Sequence, residues 1–148
     1  MIEVRVTRVR PMAKIPEYMS DGAAGCDVCA CLNGPHVLLP LQRSKLPTGI
    51  SVEIPNGYEL QVRPRSGLAI HKGLTLVNSP GTVDSDYRGE IQVLVINLGT
   101  EPVTIEPGDR IAQLVLKKVE KIHWAEVERL TISNRGSGGF GSTDNSAG

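Results

Sequence analysis

Apolar and polar residues alternate in short runs along most of this chain. Ile2, Val4 and Val6 form one apolar face. Ile50, Val52 and Ile54 form another, followed by Pro55-Asn56-Gly57 and then by Tyr58, Leu60 and Val62. A period of two marks half-buried strands, and Asn-Gly between two such runs predicts a hairpin. Further strand-like stretches are LTLV (74–77), EIQVLVIN (90–97), PVTI (102–105) and RIAQLVL (110–116). Turn formers separate them: Ser79-Pro80-Gly81, Leu98-Gly99-Thr100 and Pro107-Gly108-Asp109. Only SGLAIHKG (66–73) predicts a turn or two of helix. The pattern therefore predicts an all-β fold, a compact barrel or jelly-roll-like domain.

After Ile132 the alternation stops. SNRGSGGFGSTDNSAG is made of glycine and small polar residues, and cannot bury enough surface to order itself. The expected organisation is one β domain over residues 1–133 and a mobile tail over 134–148.

Composition narrows the function classes. A chain of 148 residues suits one domain with a single core, and with aromatics at 3% that core is expected to be Val, Ile and Leu. Lys plus Arg (16) balance Asp plus Glu (16), so no excess of positive charge is available to hold a nucleic acid by its phosphates. A local basic pocket for one polyphosphate stays open. No apolar run is long enough for a signal peptide or a membrane span, so a cytoplasmic protein is expected.

Cys26, Cys29 and Cys31, with His36 just beyond, raise the question of zinc. No second Cys/His pair exists, and in an extended strand Cys26 faces away from Cys29 and Cys31. Reduced, buried thiols are the expectation.

Three stretches offer chemistry. RPRSGLA (63–69) places Arg63 and Arg65 before Ser66 and Gly67. A helical turn starting at Ser66 would aim its free N–H groups, with the Arg65 guanidinium, at a phosphate. A capped turn with solvated arginines would look the same. NSPGTVDSDYRGE (78–90) reads as strand, tight loop, strand. Asp84 and Asp86 there are either Asx-turn residues or a carboxylate able to activate water or hold a metal ion. The tail matches G-x-G-x-x-G at Gly136, Gly138 and Gly141, but no helix can follow. What remains is a string of backbone N–H groups able to turn toward an anion, with Arg135, Ser142 and Thr143 as further donors. A disordered terminus would share that composition. Phe140, the one phenylalanine of the chain, resists it: a large apolar ring in such a tail needs a surface to land on, such as a flat base.

Taken in order, these stretches resemble the five motifs of the trimeric deoxyuridine triphosphatases (dUTPases). The motifs match AAGCDVCA (23–30), RPRSGLA (63–69), GTVDSDYRGEI (81–91), GDRIAQLV (108–115) and RGSGGFGST (135–143). The resemblance implies a β-barrel homotrimer whose subunits share each site. It implies hydrolysis of dUTP to dUMP and pyrophosphate, which removes dUTP and supplies dUMP for thymidylate synthesis. Asp84 is then the general base that activates water and Gln113 helps to hold that water. Arg65, Ser66 and Gly67 contact the phosphates, and Asp27 anchors the water shell of a Mg²⁺ that the triphosphate chelates. Asn78 and the backbone around Thr82 and Val83 read uracil, and Tyr87 packs against the sugar at the place of a ribose 2′-hydroxyl. Arg135, Ser142 and Thr143 bind the distal phosphates, Phe140 stacks on the base, and Gln92 and Gly141 are further substrate-binding positions. Cys26 and Thr82 depart from the usual residues of their motifs. Two rivals share the scaffold. A dCTP deaminase would need a glutamate base where Asp84-Ser85-Asp86-Tyr87 stands, and a non-catalytic protein would have lost motif acids or tail.

Overall fold

The computed structural model describes residues 1–144; residues 145–148 of the expected tail lie outside the described part. The elements run β1 (Arg5–Arg8), β2 (Cys26–Cys29), β3 (His36–Leu38), β4 (Arg43–Pro47), β5 (Ile50–Glu53), β6 (Tyr58–Arg63), α1 (Ser66–Lys72), β7 (Leu74–Leu76), β8 (Gly81–Val83), β9 (Gln92–Asn97), β10 (Val103–Ile105) and β11 (Arg110–Lys118). All pairings are antiparallel and fall into four sheets. The largest has the order β2-β11-β6-β8; the others are β4-β9-β7, β1-β5 and β10-β3. The fold is all-β with little helix. Among the described residues no ladder joins the four sheets into one closed barrel.

The sheets cover a single aliphatic core. Val28, Ile50, Val93 and Val95 are fully buried, with Leu38, Leu46, Ile91 and Ile105 nearly so. No aromatic side chain is among the buried ones, as the composition predicts. At about 25 cal/mol per Å² of apolar area removed from water, such a Val/Ile/Leu core is the main stabilising term.

Two expectations change. Asn56-Gly57 does form a turn, with Gly57 at φ +84° and Tyr58 N–H donating to Pro55 C=O at 3.2 Å. It is not a hairpin. β5 pairs with β1, whereas β6 pairs with β11 and β8, so the turn carries the chain from one sheet to another. The period of two survives because Ile50, Val52, Leu60 and Val62 face the same core from different sheets. The second change concerns Ile2 and Val6, which are exposed although the alternation suggested a buried face; all four residues of β1 are exposed.

Helix α1 starts where the motif predicts. Arg65 is extended at its N-cap and supplies no side-chain cap; Gly73 ends the helix in the left-handed region at φ +66°. A Cβ at Gly73 would strike the backbone of Gly99, so both conformation and space demand glycine there.

Packing ends earlier than composition suggests. β11 stops at Lys118, and Val119 N–H still donates to Gly57 C=O at 2.8 Å. From Glu120 to Ile132 every residue is exposed, including Ile122, Trp124, Val127, Leu130 and Ile132. Among the described residues, no helix is long and apolar enough to cross a membrane.

Candidate functional site

The segment between β8 and β9 builds a cavity of about 280 Å³. Asn78, Thr82, Val83, Asp84, Tyr87 and Gln92, all singled out from the sequence, line it together. β8 is the edge strand of its sheet, so one of its two rows of backbone N–H and C=O groups has no ladder partner and faces outward. Asn78 reaches the cavity because Gly81 lacks a side chain: a Cβ there would lie 3.0 Å from Asn78 Nδ2 and 3.3 Å from Val62 Cβ. At the turn, Tyr87 N–H donates to Asp84 C=O at 3.1 Å, which leaves the Asp84 carboxylate exposed at the rim.

Two further charged side chains that were not named as site residues from the sequence, Lys45 and Glu90, border this cavity. Lys45 arrives because β4 pairs with β9 opposite Leu94. β4 itself escaped sequence reading, since Leu46 is its one buried residue. Glu90 is held by Arg10, whose Nε and second guanidinium nitrogen donate to its two oxygens at 2.6 and 3.0 Å; Gly49 N–H adds a third bond at 2.8 Å. The Arg10 hydrogen bond, with the Gly49 N–H and the Arg10 charge assisting, holds the Glu90 carboxyl below its ordinary value of 4.5 against the opposing effect of burial. A carboxyl whose folded value is depressed adds stability above its unfolded value, and that stability is lost as pH falls through the folded value. The urea midpoint of wild type should therefore exceed that of Glu90→Gln near neutral pH. The gap should close as the solution is acidified below 4.5; a gap independent of pH would contradict the pairing.

A second cluster lies at the other end of the main sheet. Asp27 on β2 sits opposite Gln113 on β11, and Gln113 in turn sits opposite Arg63 on β6. Asp27 Oδ2 meets an Arg110 guanidinium nitrogen at 3.1 Å and Arg65 Nε at 3.5 Å. Arg65 also donates to the Arg110 C=O at 3.0 Å, so Arg110 fixes both partners. Arg110 lies within the fourth motif stretch, yet only the β2–β11 pairing reveals what it touches. Arg63 does not join the cluster: its guanidinium is spent on Gln61 Oε1 at 2.7 and 3.1 Å. Ser66 and Gly67 are exposed at the start of α1, and a Cβ on Gly67 would meet nothing within 4 Å. Nothing in the chain requires glycine there, whereas a ligand lying on the backbone would.

Gln113 donates its amide to Pro64 C=O at 3.2 Å, and Gly25 makes room for it. A Cβ at the buried Gly25 would fall 2.9 Å from Gln113 Oε1, 3.0 Å from Val115 Cγ2 and 3.1 Å from the Leu114 carbonyl oxygen. The strand cannot yield on all three sides. Gly25→Ala is expected to destabilise the protein by about 1–3 kcal/mol through overpacking, measured by urea denaturation. Unchanged stability would show that the β2–β11 pair shifts freely.

The cysteines remain single thiols. Cys26 and Cys29 are half-buried, Cys31 is buried, and all three are unpaired with one another. Burial pushes the Cys26 and Cys29 thiols up, which keeps them protonated. No group of three or more His, Cys, Asp or Glu able to hold a metal occurs among the described residues.

The fifth motif forms a chain of tight turns. Gly136, Phe140 and Gly141 all have positive φ, and Arg135 Nε donates to Gly138 C=O at 2.6 Å. Ser142 and Thr143 lie exposed beside Phe140, whose ring stands wholly in solvent. A phenylalanine in the left-handed region with no apolar neighbour is held by nothing the packed domain supplies.

The two clusters do not meet within one chain. Val83 pairs with Leu60, and Leu60 with Leu116, so Val83 is level with a residue three positions from Gln113 and two strands away. At about 3.3 Å per residue and about 4.8 Å per strand spacing, those backbones stand roughly 14 Å apart. The two positions also diverge along the sheet. β8 runs antiparallel to β6, so Asp84 continues toward the Tyr58 end, while Gln113 is tied to Pro64 beyond the Arg63 end. One water molecule cannot touch both.

Comparison with known proteins gives a concordant result. The dUTPase family model matches residues 12–144. The chain is 52% identical to the deoxyuridine 5'-triphosphate nucleotidohydrolase of Fusobacterium nucleatum over 96% of this chain and 97% of that one. It is 57% identical to the enzyme of the same name from Chlamydia trachomatis over 88% and 91%. Among solved structures, the dUTPase of Staphylococcus bacteriophage 80alpha with dUpNHpp superposes with TM-score 0.86 at 26% identity, over 95% of this chain and 97% of that one. The dUTPase of S. aureus phage phi11, described with a structural Mg(II) ion, shares the fold at TM-score 0.78 and 22% identity, over 86% and 97%.

Proposed function

Since this chain belongs to the dUTPase family and is a nucleotide hydrolase acting on dUTP, we propose that it cleaves dUTP to dUMP and pyrophosphate by attack of an Asp84-activated water on the α-phosphate. The reaction removes dUTP and supplies dUMP for thymidylate synthesis. The observation that carries this reading is the cavity of about 280 Å³, in which one carboxylate, one tyrosine ring, one asparagine and an open strand edge converge.

The cavity suits the nucleoside. Uracil presents acceptor, donor and acceptor along one edge, and the unpaired row of β8 around Thr82 and Val83, with Asn78, can answer all three. Cytosine would set a donor against a donor and leave buried groups unpaired. Tyr87 fills the side where a ribose would carry its 2′-hydroxyl. Asp84, at the rim, is placed to take a proton from water as that water approaches phosphorus.

Arg65, the N–H groups of Ser66 and Gly67, and Gln113 suit the triphosphate and the attacking water; Ser66 lies near the oxygen bridging the α and β groups. Phosphoryl transfer is mostly positioning and charge neutralisation, so such donors carry much of the catalysis. Asp27 fits a Mg²⁺ held chiefly by the nucleotide. It is one carboxylate beside two arginines, with no second carboxylate to form a protein cage, and Mg²⁺ ordinarily keeps its waters and binds substrate phosphates in such settings. When bound, the ion would neutralise phosphate charge.

The roughly 14 Å between Val83, beside Asp84, and Gln113 supports a site assembled from more than one chain. In a homotrimer, the Asp84 cavity of one subunit would meet the Asp27–Arg65–Gln113 cluster of another. Five large apolar side chains exposed between Ile122 and Ile132 need a cover that a neighbouring copy can supply. The tail, residues 134–148, would then close over the ligand, bringing Arg135, Gly141, Ser142 and Thr143 to the distal phosphates and Phe140 to the base.

Deamination on this scaffold is disfavoured by Glu90. It is the glutamate of the nucleoside cavity, and both its oxygens are engaged by Arg10. Hydrolysis of dUTP with Mg²⁺ in ¹⁸O-labelled water tests the proposal. Label in the dUMP phosphate, with none in pyrophosphate and no ammonia released, is expected. Label in pyrophosphate would place the attack on the β-phosphate and displace Asp84 from its role.

A further inference from the structure

The ring of Tyr87 is held by its own loop. Its hydroxyl donates to the Glu90 C=O at 3.0 Å, three residues onward, so the ring lies across Gly89. With the ring in this position there is no room for a side chain beneath it. A Cβ on Gly89 would collide with the Tyr87 hydroxyl and fall 2.6 Å from Cζ and 3.0 Å from Cε2.

Glu90, whose carbonyl receives the hydroxyl, is anchored from the far end of the chain. Arg10 grips both carboxylate oxygens, and Gly49 N–H grips one of them. The next residue is pinned to the core. Ile91 is buried, its N–H donates to Ile50 C=O at 2.8 Å, and its C=O accepts the buried Thr48 hydroxyl at 2.6 Å. A chain of contacts thus runs from Arg10 through Glu90 to the tyrosine ring, and Glu90 also borders the nucleoside cavity.

We infer that Arg10 and Glu90 are positioning residues for sugar selection, which act by fixing Tyr87 over Gly89 so that its ring occupies the space of a 2′-hydroxyl. The inference rests on the reading that Tyr87 faces the sugar. A tyrosine exposed at 45% could swing on its two side-chain torsions. A ring that swings admits a ribose, while the contacts to base and phosphates are left as they were. Loosening the clamp should therefore raise kcat/KM for UTP far more than it alters kcat/KM for dUTP. A general weakening of the fold would lower both.

The test compares kcat/KM for dUTP and UTP in the intact enzyme with Mg²⁺, for wild type, Tyr87→Ala, Tyr87→Phe, Arg10→Met, Arg10→Lys and Gly89→Ala. Tyr87→Ala examines the underlying reading. If its dUTP/UTP ratio equals that of wild type, the ring does not read the sugar, and the inference falls with that reading. If the ratio drops, the clamp itself is on trial. Tyr87→Phe, which keeps the ring and removes only the bond to Glu90, should lower the ratio by about tenfold, as should Arg10→Met, the scale of one lost steric or polar discrimination. Arg10→Lys, which restores one bond to the carboxylate, should recover part of it. Should Arg10→Met or Gly89→Ala fail to fold, Tyr87→Phe alone decides. A Tyr87→Phe ratio matching wild type, beside a lowered Tyr87→Ala ratio, overturns the clamp.

Discussion

Replacing Asp84 by Asn is expected to leave dUTP binding intact and to lower turnover by about a hundredfold or more, the usual contribution of a positioned general base. The carboxylate is exposed at the cavity rim, and its loss removes no core packing. The amide keeps the shape of the side chain and can still accept one hydrogen bond from water, but it cannot take up the proton. Binding of a non-hydrolysable dUTP analogue, measured by calorimetry, should match wild type while single-turnover hydrolysis collapses. Undiminished hydrolysis would remove Asp84 from the base role and turn attention to Asp86 two residues on. The amide also tests against a purely structural part: a residue needed only for the Asp84–Tyr87 turn, whose bond is made by the backbone, would show no kinetic effect.

Ending the chain after Asn134 is expected to leave stability within about 0.5 kcal/mol of wild type, the range of changes made away from packed features. Turnover should fall by about a hundredfold or more, because several phosphate donors leave together. The Phe140 ring stands wholly in solvent, and the backbone bonds of the motif are local: Gly138 N–H donates to Arg135 C=O, Ser142 N–H to Gly139 C=O, and Gly136 N–H to Ser133 C=O just before the motif. Among the described residues, no buried side chain is removed with it. In the proposed reaction its value lies in excluding water and supplying N–H groups once a triphosphate is bound. Phe140→Trp in the full-length chain gives an independent reading, since closure over a base should alter the indole emission when a dUTP analogue and Mg²⁺ are added. Full activity in the shortened chain would return the fifth motif to a terminus without function.

What could be read from the sequence divides along physical lines. Strands with two or three buried apolar residues, such as β5, β6 and β9, announce themselves by alternation; burial follows it in β6 and β9, while in β5 Ser51 is buried along with Ile50 and Val52. β3 and β4 do not, because each buries a single leucine among polar or exposed neighbours. The Asn56-Gly57 turn was legible and its partners were not. Turn chemistry is local, whereas the choice of β1 for β5 and of β11 for β6 is made by the whole core. That six residues expected at a nucleoside pocket line one cavity follows from their lying within fifteen positions of one another, on β8, β9, the loop between and the turn before β8. Arg110, Lys45 and the Arg10–Glu90 pair were hidden for the opposite reason: each meets its partner across scores of residues, through strand register or a loop contact.

The same register yields the strongest constraint on assembly. Asp84 and Gln113 both belong to the proposed reaction, yet Val83, beside Asp84, stands roughly 14 Å from Gln113 across the sheet, and the chain carries Asp84 further toward the Tyr58 end. Residues 120–134, exposed throughout, could span on the order of 50 Å if fully extended, enough to deliver a tail to a neighbouring subunit. The decisive measurement is the activity of purified mixed trimers made by co-expressing the Asp84→Asn chain with the chain ending at Asn134. Each parent trimer lacks one component in every site. If sites are built between subunits, a mixed trimer joins an intact Asp84 from one chain to an intact tail from another, and dUTP hydrolysis recovers well above either parent. Mixed trimers that form and remain as inactive as their parents would contradict the shared site.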